Sequence, residues 1–178
     1  MKRGFRGFQY KYLPEFVYGG TDGAITTFAI VSGVLGASLS SSIVLILGFA
    51  NLFADGFSMA VSNYLSTKSR NDLQKKVKSP KINPMKTASV TFVSFFVIGF
   101  IPLFSFVAAA VSGTESILRN QFIYSAVLTL AALGIVGWFK GKVSEKNELK
   151  SSIQTMFIGG IAAVLAFSVG YFVKSLVG

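Results

Sequence analysis

Five long apolar stretches separated by short polar ones organise the chain: Val17–Leu39, Ile43–Leu65, Thr87–Val111, Gln121–Phe139 and Ile153–Leu176. Each has about the twenty residues that a helix needs to cross a ~30 Å hydrocarbon core. The pattern predicts an all-α integral membrane protein with five transmembrane helices spread over residues 17–178. The "SLSSS" turn after the first run is short enough to force a tight antiparallel hairpin. Between the second and third runs lies "STKSRNDLQKKVKSPKINPMK", residues 66–86. Polar, basic and broken by Pro80 and Pro84, it reads as a linker too short to be a domain. Residues 1–16, "MKRGFRGFQYKYLPEF", interleave basic and aromatic side chains as an interfacial arm does, and Pro14 suits the first turn of a helix. Gly99 and Pro102 predict a kink in the third span, and the small residues of "GGIAAVLAFSVG" predict close packing of the fifth.

Composition strengthens this picture. Of 178 residues, 52% are hydrophobic and 13% charged, where a soluble domain carries about a quarter charged. A soluble fold would need five buried helices with almost no polar shell. The first run is too long for the apolar core of a cleavable leader, and a second span follows at once. Cysteine and histidine are both absent, which removes disulfides, thiolate metal sites and the usual general base. No nucleotide-binding loop, catalytic triad or metalloprotease motif is present, so transport is expected rather than catalysis, with no bound cofactor.

Charge fixes the expected orientation. Of the 17 basic residues, all but Arg119 and Lys174 precede span one, separate spans two and three, or separate spans four and five. With five spans these segments share one face, so the N-terminus and the 66–86 linker are expected in the cytoplasm and the C-terminus outside. The basic excess then meets lipid headgroups rather than nucleic acid.

Two of the seven acids, Asp22 and Asp55, fall inside apolar runs. Ionisable groups there are costly and mark functional sites by default. Asp22 as an N-cap would leave a helix of only about 24 Å before Leu39, short for the hydrocarbon core. At about 100° per residue, Asp22, Thr26, Ala29, Gly33 and Gly36 form one narrow stripe of small or polar side chains. In the second run Asn51, Asp55, Ser58 and Ser62 make a matching stripe, flanked by Met59. Counted from Tyr18 and Leu65 as inner ends, Asp22 is about 6 Å deep, Met59 about 9 Å, Asp55 about 15 Å and Asn51 about 21 Å. Carboxylates, an amide oxygen, hydroxyls and a thioether suit a divalent cation such as Mg, Mn or Fe(II), the thioether favouring a softer metal. Buried carboxylates can also exchange protons. The competing reading is interhelical glue, in which these groups bond across the bundle and carry nothing, as in a membrane scaffold or regulatory subunit. Passage of another cation is a third.

"DGAITTFAIVSGVLGA" followed by "ILGFANLFADGFSMAVSNYLSTKS" resembles the signature of the vacuolar iron transporter family, nodulin-like and bacterial members included. "GFIPLF", "GWFKGK" and "GGIAAVLAFSVG" extend the resemblance over nearly the whole chain from Tyr18. It implies a five-helix protomer and a homodimer whose path lies at the two-fold interface, lined by helices one and two. It also implies export of Fe(II), often with Mn(II), from the cytosol in exchange for protons. By position, the family's path aspartate is Asp22 and its path methionine Met59. Two departures stand out. Asn51 replaces a glutamate eight residues before that methionine, and the glutamate-rich cytoplasmic domain between spans two and three is reduced to a basic linker whose one acid is Asp72. The expected setting is a prokaryotic plasma membrane, with a vacuole-type membrane as the alternative.

Overall fold

A computed structural model describes residues 2–74 and 81–177, with side chains described from Lys11 to Leu73 and from Lys81 to Val177. Among the described residues there are five helices and no strand: α1 Lys2–Gly36, α2 Ser41–Gln74, α3 Pro84–Ser112, α4 Glu115–Val143 and α5 Glu148–Val177. The helices outrun the apolar blocks because backbone hydrogen bonding continues past the hydrocarbon boundary. The second helix runs nine residues into the expected linker, so Asp72 lies on its last turns. Lys75 to Pro80, the centre of that linker, lies outside the described residues.

The first helix departs most from expectation. It begins at Lys2, so residues 2–16 of the arm continue the span's helix and Pro14 lies in the helix interior rather than its first turn. Proline there withholds one N–H from the carbonyl a turn earlier, yet the helix continues. Asp22 is consequently twenty residues from the helix start, and an N-capping role is excluded. The third helix likewise passes unbroken through Gly99 and Pro102.

Helices α2 to α5 are each long and apolar enough to cross a membrane, whereas α1 is not apolar enough by the same measure. Packing gives the reason. The first helix packs against all four others, while those four pack against one another in the sequence α2–α3–α4–α5, with one further link where the Gln121 amide of α4 donates to the Ser41 hydroxyl of α2 at 2.7 Å. A central helix flanked by protein on most sides needs little lipid-compatible surface, so it can carry Gly, Thr and Asp. The outer helices form an incomplete ring, open between α5 and α2. At the other extreme only Ser151, Thr155 and Gly159 of α5 are buried, and most of its large apolar side chains are exposed.

Two apolar clusters hold the bundle. Phe28, Val31 and Val34 of α1 meet Leu52 and Met59 of α2 and Phe95, Leu103 and Phe106 of α3. Ala24 joins Ile98, Ala132, Leu133 and Val136 across α1, α3 and α4. The α1–α3 crossing is close enough that glycine is required on both sides. A Cβ on Gly23 would strike the Phe95 carbonyl, and one on Gly99 would sit 2.9 Å from the Gly23 oxygen. Most buried hydroxyls are satisfied within their own helices or across to a neighbour, those of Thr21 and Ser32 being the exceptions among the described residues. Thr91 donates to the Thr87 carbonyl at 3.0 Å, Thr129 to Ser125 at 2.7 Å, and Ser125 to the Pro102 carbonyl at 2.6 Å. Such bonding is what lets an apolar bundle bury polar atoms.

Candidate functional site

The tight 37–40 connection sets α1 and α2 side by side and antiparallel, so residues far apart in sequence meet across their contact. Asp22 and Asp55 are both half-buried there and close enough for their charges to interact. About one turn further along both helices, the Asn51 amide donates to the Thr26 hydroxyl at 3.2 Å and to the Thr27 hydroxyl at 3.4 Å. Thr26 in turn donates to the Asp22 carbonyl at 2.9 Å. Asn51 is therefore a clamp between the helices whose amide oxygen is not used in those bonds. The two polar stripes do converge, with the acids nearer the N-terminal part of α1 and the amide beyond them.

The remaining members of the stripes separate. Ser58 and Ser62 are exposed on α2. Gly33 and Gly36 lie against α5 rather than α2. A Cβ on Gly36 would strike the Phe167 carbonyl, and one on Gly170 the Gly33 carbonyl. The α1 stripe is thus flanked by α2 at Thr26 and by α5 at Gly33 and Gly36, which sets it at the open side of the ring. Met59 is 8% exposed and belongs to the apolar core, but it also lines a cavity of about 300 Å³ with Pro14, Glu15 and Tyr18 of α1 and Ser62, Asn63 and Ser66 of α2. The methionine faces the part of α1 one to two turns before Asp22, not Asp22 itself.

Glu15 is the residue that sequence reasoning passed over. Starting the span at Val17 relegated it to a helix end, although it sits seven residues before Asp22 and so on the same helical face. Its Oε2 is buried with no hydrogen-bond partner among the described residues. No three acidic side chains cluster within metal-binding reach of one another among the described residues, so a cation held within one protomer would draw on the amide, hydroxyl and thioether donors as well.

Fold and site together define a helical membrane protein that keeps a pair of carboxylates between two of its helices. The chain belongs to the VIT family, whose sequence model matches residues 13–82 and 75–171. It is 29% identical to a vacuolar iron transporter of Toxoplasma gondii over 229 aligned positions, covering 94% of this chain and 76% of that one. It is 26% identical to vacuolar iron transporter 1 of Eucalyptus grandis, covering 90% and 86%. It is 25% identical to vacuolar iron transporter homolog 2 of Arabidopsis thaliana over 168 positions, covering 88% and 82%. The lengths locate a difference. An alignment of 229 positions against a 178-residue chain leaves more than fifty positions of the Toxoplasma protein without a counterpart here, whereas the homolog 2 alignment needs no such excess. The two matched stretches overlap at residues 75–82, in the α2–α3 connection.

Proposed function

We propose that this protein is a divalent metal transporter that exports Fe(II) or Mn(II) from the cytosol in exchange for protons, along a path lined by α1 and α2. The observation that carries the reading is the approach of Asp22 and Asp55 across the α1–α2 contact, inside helices that otherwise bear no charge at that depth. Two carboxylates without a basic partner among the described residues favour a cation between them or a shared proton, and alternation between those states is what exchange requires. Family membership and relatives named vacuolar iron transporter support iron as a cargo.

In this reading all five helices span, with α1 shielded from lipid by its neighbours, the N-terminus in the cytosol and the C-terminus outside. A second copy closes the open side between α5 and α2, so the path runs along the dimer axis and two sets of donors face one ion. The membrane is a prokaryotic plasma membrane or a vacuole-type membrane. One observation favours a structural share for part of the stripe: Asn51 spends its amide protons on Thr26 and Thr27, as interhelical glue does.

The test is flux in liposomes holding the purified full chain. Mn(II) or Fe(II) movement that accelerates when a pH gradient is imposed is the expected result. Flux indifferent to the gradient overturns proton exchange, and absence of flux for both metals overturns transport. Met59→Ala should slow flux or change the preference between the two metals.

A further inference from the structure

We propose that Glu15, with Met59, Asn63 and the Ser62 and Ser66 hydroxyls, forms a second divalent-cation site: a cytosolic vestibule that captures the ion before it reaches Asp22 and Asp55. The vestibule's role as a feeder rests on the transport reading above; the site itself does not.

Three observations converge on it. The cavity of about 300 Å³ between α1 and α2 is lined by a carboxylate-bearing residue, a thioether, an amide and three hydroxyls, those of Tyr18, Ser62 and Ser66. Its one acid, half-buried as a residue, has one carboxylate oxygen buried without a hydrogen-bond partner among the described residues, and a buried polar atom left unpaired is costly. Glu15 also continues the Asp22 stripe one heptad toward the N-terminus of α1, about 10 Å along the helix. On α2, Asp55, Met59, Ser62 and Ser66 recur at i, i+4, i+7 and i+11, so the matching face extends to the same end. The cavity is anchored, since the Asn63 amide donates to Thr91 of α3 at 2.6 Å while its oxygen accepts from Thr67 at 3.4 Å. Oxygen donors beside one thioether suit a divalent transition metal.

The chain has no cysteine, so Ser66→Cys supplies a single thiol at the cavity rim. In the full-length protein, Mn(II), a poor thiolate partner, should protect that thiol from alkylation. Glu15→Gln, close to isosteric, should weaken protection about tenfold or more, because it removes a unit charge next to a divalent ion. Glu15→Asp should restore most of it. In liposomes Glu15→Gln should raise the KM for Mn(II) by a similar factor and leave kcat within about twofold, a split that damage to the fold would not produce. Protection that is the same with Glu15→Gln as without it overturns the site, whatever the flux does. Protection that responds to Glu15 in a protein without flux upholds the site and refutes only the transport reading.

Discussion

Substituting alanine for Gly99 perturbs the crossing that fixes α1, and with it Asp22, in the bundle. An added Cβ would lie 2.8 Å from Leu52 Cδ2, 2.9 Å from the Gly23 oxygen and 3.0 Å from the Gly23 carbonyl carbon, where ordinary contact begins at 3.4 Å. The tip of Leu52 can rotate. The Gly23 carbonyl cannot, because it belongs to the backbone of α1, so the two helices must part by about half an ångström. Overpacking of this kind costs about 1–3 kcal/mol, and for a chain of this length each kcal/mol lowers Tm by about 2–4 °C. The expected loss is therefore about 2–12 °C for the full chain in detergent, read as the fraction that stays monodisperse on gel filtration after heating. Gly160→Ala is the control, since a Cβ there meets nothing within 4 Å and the change gains up to about 1 kcal/mol of helix propensity. If Gly99→Ala melts with the wild type, or Gly160→Ala melts as early as Gly99→Ala, the close α1–α3 crossing is wrong.

Asn51→Leu removes the bonds to Thr26 and Thr27 and should cost about 0.6–1.7 kcal/mol in the same heating assay; no change would show that the clamp is not made. The Asn71 amide donates to the Ile82 carbonyl at 2.6 Å and its oxygen accepts from the Ile82 N–H at 3.2 Å, so the side chain staples the end of α2 to the approach to α3. Asn71→Ala should cost about 1–2 kcal/mol and speed proteolytic cleavage between α2 and α3, whereas an unaltered cleavage rate would refute the staple.

Hydrophobic blocks made the number and order of helices legible, because twenty apolar residues in succession have few other uses. Their ends were not legible. Hydropathy marks where apolar side chains stop, while α2 continues to Gln74 through polar residues that still bond along the backbone. The same limit hid Glu15, since a span drawn from Val17 leaves it outside, although the heptad spacing to Asp22 was available. Stripe geometry identified Asp22, Asp55, Asn51 and Thr26 as one constellation because helical periodicity places side chains on faces without knowledge of neighbours. It could not say which neighbour each face meets. Gly33 and Gly36 share Asp22's stripe but serve α5, since a stripe tens of ångströms long passes from one partner helix to another. Met59 shows the same effect in depth. Counting rises along two helices put it near Asp22, but α1 reaches further back than its apolar run, and Met59 meets Glu15 and Tyr18 instead.

The most direct test of the central claim compares Mn(II) flux by the wild-type protein with that of the Asp22→Asn, Asp55→Asn double variant in liposomes under an imposed pH gradient. Both substitutions preserve shape and remove charge, and matched gel-filtration profiles establish that the fold is kept. Loss of gradient-driven flux in the double variant is the predicted result. Wild-type flux in that variant would contradict a path through the paired carboxylates.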